Sequence, residues 1–228
     1  MEQVVAQAVL VIIVMALSLT VHEFAHAWAA FRLGDDTAER DGRLNLNPLN
    51  HADPIGTVLL PLFILLANGA GGGVPFFGWA RPVPTNPRNY NQSVDMRKGM
   101  MLVALAGPVS NLLLGFITVL VLISGIHGQW YQSIPSFAQE MLRMLFGVNV
   151  ALFVFNMIPI YPLDGQKVLS FFLKGQTAVD YERFNIKYGS IVLMLIVFFG
   201  HHVISRPIML VNEGLLVVAN EIVKIFGM

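Results

Sequence analysis

The stretch "SLTVHEFAHAWAAF" holds the residues of this chain best suited to chemistry. H-E-x-x-H on a helix sets two imidazoles four residues apart on one face, so His22 and His26 can reach a single cation. Glu23 stands beside that cation, where it can take a proton from bound water. Zinc is the metal favoured by this ligand type and spacing. A catalytic zinc ordinarily has three protein ligands and one open position, so a further ligand is expected elsewhere. The 228 residues include no cysteine, which leaves His, Asp or Glu to supply it and excludes disulfides and thiol nucleophiles.

A second cluster, "FNMIPIYPLDGQK" from Phe155 to Lys167, offers that ligand. Pro159 and Pro162 break the helix that precedes them, because proline lacks the backbone donor and clashes with the preceding turn. Gly165 permits a tight turn, and an unwound segment ending in a carboxylate can aim it at a neighbouring helix. Asp164 is therefore the natural third ligand. A turn or cap role is the alternative, and the default for an isolated Leu-Asp-Gly, but a carboxylate within a membrane usually faces a partner inside the bundle. His51, in "NHADPIG", is close in sequence to the site. Two readings of it stay open: an accessory residue touching substrate or the metal in transit, or a structural hydrogen bond to its own loop. His127, His201 and His202 read as interfacial anchors.

These residues are carried by an unusually apolar chain. Hydrophobic residues make up 55% and charged residues only 12%, against roughly 25% charged in soluble domains, which excludes an ordinary soluble globule. Lys+Arg and Asp+Glu balance at 14 each, so nothing asks for nucleic acid. Segments 4–30, 99–126, 141–160 and 188–204 are long enough to span a bilayer. Segment 207–227 is interrupted by Asn212, Glu213, Asn220 and Glu221 and either spans or lies in the interface. The first run has no basic flank and is too long for a signal-peptide core, so it reads as a retained helix.

Basic residues gather in three loops, around Arg32 to Arg43, Arg81 to Lys98 and Lys167 to Lys187, whereas 127–139 has none. Cytoplasmic loops collect such charges. The first helix then runs from outside to inside, with His22 about 27 Å along it from Val4, near the cytoplasmic end. Segment 54–80 must enter and leave on that same side as a re-entrant element. Leu44 and Leu46 alternate with polar neighbours, which suggests an extended edge over 43–50; that edge or 74–84 could pair with an extended peptide. The expected fold is an all-α polytopic membrane protein with about five to six transmembrane helices, a re-entrant segment and short membrane-associated β pieces. It is read as one domain over 1–228, with a catalytic core at about 4–175 and accessory helices at about 184–227.

"HEFAH", "AGPVSN" (Ala106 to Asn111) and "NMIPIYPLDG" (Asn156 to Gly165), in that order and each on a hydrophobic segment, resemble the motifs of the site-2 protease family of intramembrane zinc metalloproteases (peptidase family M50). The resemblance covers residues 15–185 and is to compact members: the connection after 99–126 is too short for a PDZ domain, and no CBS pair is seen. It implies one zinc held by His22, His26 and Asp164, with Glu23 as catalytic base. Asn111 and Asn156 would hold substrate or its developing oxyanion. The substrates implied are single-span membrane proteins cut within their transmembrane segments, in a prokaryotic cell membrane, with the site toward the cytoplasm. The alternative class is a divalent-metal transporter or metal-binding membrane protein. The outer half of the first helix offers a transit path only Gln7 and Ser18, which argues against it.

Overall fold

The computed structural model describes residues 2–69 and 78–227. In chain order the helices are α1 (Glu2–Arg32), α2 (Thr37–Arg40), α3 (Pro48–His51), a π turn (Pro54–Leu59) running into α4 (Leu60–Gly69), α5 (Met96–His127), α6 (Ser136–Asn156), α7 (Asp164–Phe172), α8 (Gly175–Phe199) and α9 (His201–Phe226). The long helix α5 lies at the centre and packs against α1, α6, α7 and α9. Outward-facing positions of α1 are apolar: Val5, Val9, Ile13 and Leu17 are exposed at four-residue spacing, the same face of a helix. Ser18 and Thr20 on the same helix are buried. An apolar outside and a partly polar inside is the arrangement a lipid environment calls for.

Among the described residues, α1, α5 and α6 are each long and apolar enough to cross a membrane. The α8 and α9 pair meets that standard only jointly, bent by 72° at its break. Three or four such elements are fewer than the five to six expected. The reason lies in the charges: the first half of α8 carries Asp180, Glu182, Arg183 and Lys187, so its apolar part is short, and α9 carries Arg206, Glu213, Glu221 and Lys224. The break falls at Gly200, inside the segment read as a single span over 188–204.

The expected β pieces are not found: no strand occurs among the described residues. Over 43–50 the asparagines decide the conformation. Asn45 Oδ1 accepts from Asn47 N at 2.8 Å, Asn47 Oδ1 accepts from Leu49 N at 3.1 Å, and Pro48 opens α3. Such local side-chain bonds give the backbone an alternative to a strand ladder, so the Leu44 and Leu46 alternation is a by-product of turns.

The element expected to be re-entrant is held at its ends. Asp53 Oδ1 caps the π turn, accepting from Ile55 N at 2.9 Å and Gly56 N at 2.7 Å. Residues 70–77, within that element, lie outside the described residues. Where the chain is described again, Trp79 N donates to Gly56 O at 3.2 Å and Thr57 Oγ1 donates to Trp79 O at 2.9 Å. The two ends of the element therefore meet.

Beyond the end of α1 the chain is tied down by Asp35, which is fully buried. Its carboxylate accepts from the Thr37 hydroxyl and backbone, from Asn86 N at 2.6 Å and from Asn89 Nδ2 at 3.0 Å. Burial alone would raise its pKa, but the bonds from Thr37, Asn86 and Asn89 hold it below the usual aspartate value. A depressed folded-state pKa adds stability above the unfolded value, near 3.9, and that contribution is lost as pH falls through the folded-state pKa. Asp35→Asn sets an amide against the Asn86 N–H and should cost about 1–3 kcal/mol at pH 7. Thermal melts in detergent should show the gap from wild type narrowing as the pH is lowered below 4.

Candidate metal centre

The two histidines of α1 meet the first residue of α7. His22 Nε2 and His26 Nε2 lie 3.0 Å apart, and each lies 3.3 Å from Asp164 Oδ2. Among the described residues this is the one cluster of three His, Asp or Glu ligand atoms close enough to hold an ion. His22 is 5% exposed and Glu23 9%.

The ring nitrogens turned away from this point decide what it can hold. His26 Nδ1 faces Val103 O at 2.7 Å, a group that only accepts. His22 Nδ1 faces Asn111 Oδ1 at 2.6 Å, while both Asn111 amide hydrogens are spent on Ser18 O at 3.1 Å and Asn149 Oδ1 at 2.8 Å. Both imidazoles therefore carry a proton on Nδ1, the usual arrangement of a ligating histidine, and as neutral rings they turn Nε2 lone pairs toward each other and toward a carboxylate oxygen. Three lone pairs at this spacing repel one another unless a cation is shared among them. Ligands about 2.0–2.1 Å from a tetrahedral zinc are about 3.3 Å apart, so the donor set fits that ion in number, type and spacing.

The sequence builds this approach with two glycines. A Cβ on Gly107 would run into His26 Nε2 and come within 2.7 Å of His22 Cε1, so only glycine lets α5 pass so close to the imidazoles. A Cβ on Gly165 would strike Met157 O and lie 2.5 Å from Ile158 O, so "LDG" lets the turn over 157–163 fold back against the start of α7. That turn is gripped from α8: Tyr181 Oη donates to Pro159 O at 2.7 Å and Tyr161 N donates to Asn185 Oδ1 at 2.8 Å. Within "AGPVSN", Gly107 gives the close approach, Ser110 Oγ donates to Gly107 O at 2.6 Å, and Asn111 orients His22.

Glu23 Oε2 accepts from Val83 N at 2.9 Å. That amide belongs to a segment pinned along one edge: Arg81 N donates to His51 O at 2.9 Å, and Arg43 Nη2 donates to Arg81 O at 2.7 Å. Residues 79, 81 and 83 thus point one way, the alternation of an extended chain. By that alternation the backbone of Ala80 and the carbonyl of Pro82 face the opposite edge; both residues line a cavity of about 510 Å³ that also reaches His22, Glu23 and Asn156, with Ala80 buried beside Leu19 and Leu152. Of the two edges expected from the sequence, 43–50 is folded into turns and part of 74–84 lies outside the described residues; the extended edge runs through 79–83.

The remaining site residues separate. Asn156 lines the cavity and gives one amide hydrogen to Leu152 O at 3.0 Å, which leaves its other hydrogen for a ligand. Asn111 is fully buried, with both hydrogens committed, so it has no donor for an oxyanion and serves His22 instead. His51 is not among the metal-facing atoms. It is buried, with Nε2 bonded to Asn45 O at 2.8 Å, which is the structural alternative of the two readings. Burial lowers its pKa, and the Arg43 charge adds to that against the opposing effects of Asn45 O and Glu23. His127 Nε2 meets Asn220 Oδ1 at 3.2 Å, joining α5 to α9; the side chains of His201 and His202 lie outside the described residues. Asn149 is the residue sequence reasoning missed: it has no motif, and a lone asparagine in an apolar helix gives no signal of its partners.

The family model described as Peptidase family M50 matches residues 10–199. A Bacillus subtilis protein named "Putative zinc metalloprotease YwhC" is 40% identical over 161 residues, 69% of this chain and 66% of its own length. The Mycolicibacterium smegmatis protein named "Putative zinc metalloprotease Rip2" is 33% identical over 169 residues, 74% of this chain and 59% of its own length. The Mycobacterium tuberculosis protein of the same name is 33% identical over 173 residues, 74% of this chain and 59% of its own length. The chain thus spans less than two thirds of the length of these relatives. No solved structure matches.

Gly107→Ala places a methyl group where the imidazoles converge and should weaken zinc binding by at least about tenfold. Competition with a chromophoric chelator measures this, and circular dichroism should show the helices retained. Wild-type affinity in the variant would mean that the imidazoles do not converge as described.

Proposed function

Starting from a chain that belongs to peptidase family M50, the family of the site-2 proteases, we propose an intramembrane zinc metalloendopeptidase that cuts single-span membrane proteins within their transmembrane segments. The observation that carries this reading is the meeting of three ligand atoms beside Glu23 at the wall of a cavity lined also by Ala80 and Pro82. His22, His26 and Asp164 would hold the ion. Zinc, when bound there, polarises a peptide carbonyl and lowers the pKa of water to about 7. Glu23 then serves as general base and returns the proton to the leaving amine. Asn156 directs its remaining amide hydrogen toward the developing oxyanion.

A transmembrane substrate hides its carbonyls in its own helical bonds, so it must be extended before it can be cut. The Ala80 and Pro82 edge supports docking of such a segment by strand addition. The apolar lining from Leu19, Leu152, Phe155 and Leu193 suits side chains drawn from a membrane helix. In this reading the protein is multi-pass in a prokaryotic cell membrane, with its N-terminus outside and the site toward the cytoplasm, where the basic loops gather.

Glu23→Gln tests the assignment. Purified wild type and variant should each hold about one zinc, yet only wild type should cut a single-span test substrate; cleavage surviving in the variant would remove Glu23 from the mechanism. Asn156→Ala should retain zinc and lower kcat by about 10²–10³-fold with KM little changed. A change confined to KM would make Asn156 a substrate-holding residue instead.

A further inference from the structure

Four polar side chains form a buried line that begins at a metal ligand and crosses three helices. His22 Nδ1 faces Asn111 Oδ1 at 2.6 Å, Asn111 Nδ2 donates to Asn149 Oδ1 at 2.8 Å, and Asn149 Nδ2 donates to Ser18 Oγ at 2.9 Å. Ser18, Asn111 and Asn149 are each 0% exposed. We infer that Asn149 is a positioning residue of the metal centre, acting through Asn111 to fix the tautomer and ring plane of His22, with Ser18 as the far anchor. The inference rests on the metal-centre reading given above.

Orientation passes along the line because neither amide can flip without setting like against like. Asn149 Nδ2 is committed to two acceptors, Ser18 Oγ and Leu145 O at 2.8 Å, so its Oδ1 must point to Asn111. That oxygen and Ser18 O together take both hydrogens of the Asn111 amide, leaving only Asn111 Oδ1 for His22. An imidazole facing an acceptor carries its proton on that side, so Nε2 is left as an electron-pair donor. If Asn149 loses its oxygen, the Asn111 amide is held by one acceptor instead of two. Only its bond to Ser18 O then opposes a flip that turns an N–H toward His22 Nδ1 and selects the tautomer with a proton on Nε2, where the ion should be. Asn149 is not among the residues lining the cavity, so its effect on the ion must pass through Asn111.

The test uses the full chain in detergent, with three readouts: zinc affinity by chelator competition, the visible absorption bands of the cobalt-loaded protein, and the melting temperature of the chelator-stripped protein. Asn149→Leu should weaken zinc binding by about tenfold or more and shift the cobalt bands. Asn149→Asp keeps an acceptor for Asn111 but sets a carboxyl oxygen against Leu145 O, where it must be held as the neutral acid, and should bind zinc more tightly than Asn149→Leu. Thr118→Val, which removes a buried hydroxyl on α5 bonded only to Leu114 O, should leave affinity and bands unchanged. Asn149→Leu with wild-type affinity overturns the inference, as does a loss matched by Thr118→Val. Should Asn149→Leu fail to fold, Ser18→Ala decides: weaker zinc binding with a stripped melting temperature matching Thr118→Val supports the relay, and unchanged affinity overturns it. Wild-type protein that binds no zinc defeats the metal-centre reading itself, a result distinguishable from any difference among the variants.

Discussion

The convergence of His22 Nε2, His26 Nε2 and Asp164 Oδ2 within 3.3 Å of one another sets the terms for the rest of the structure. Three electron-pair donors brought together in an apolar bundle repel one another unless a cation is present, so every nearby element must hold them against that repulsion. α5 does so from one side, through Gly107, Val103 O and Asn111, and the turn over 157–163 does so from the other, through Gly165 and its anchors on α8. The central position of α5 follows, since it must touch α1 at the imidazoles, α6 at Asn149 and α7 near Asp164.

Polar groups elsewhere in the bundle obey the same constraint. In a low-dielectric interior an unpaired amide is costly, and a fully satisfied network becomes rigid. The Ser18, Asn111 and Asn149 network is satisfied at each amide, joins α1, α5 and α6, and ends on His22. The bonds that tie these three helices together are then the same set that faces His22. Apolar side chains contribute little to a unique packing in lipid, because they pack as readily against acyl chains as against one another.

This division explains what can be read from the sequence. His22, Glu23 and His26 are legible because helical periodicity alone places them, and Asp164 because two prolines and a glycine announce a broken helix at a carboxylate. The motif around Asn111 locates that residue without disclosing its role. Spacing says where Asn111 sits, whereas what it does depends on which of its atoms face Asn149 and Ser18, partners 38 and 93 residues away. Asn149 is invisible for the same reason. The 43–50 stretch misleads because alternation of leucine with asparagine satisfies a strand pattern, while asparagine side chains close Asx turns more readily than a strand edge can form. In the α8 and α9 region hydropathy sums over a window and does not register the break at Gly200.

Glu23 links this centre to the cavity and the segment along its wall. Its carboxylate accepts from Val83 N, and Val83 ends the extended run whose other edge, at Ala80 and Pro82, lines the cavity. The run is anchored in turn by His51 O, Arg43, Gly56 and Thr57, so the buried His51 and Arg43, away from the metal-facing atoms, hold the segment that holds Glu23. Under the endopeptidase reading, a substrate strand paired to Ala80 lies across one extended segment from Glu23. The pairing that extends the substrate also bears on the carboxylate that must accept a proton. In that reading docking and base placement are mechanically one step, and the loop from Arg43 to Thr57 would belong to the catalytic apparatus although none of its residues touches the metal-facing atoms.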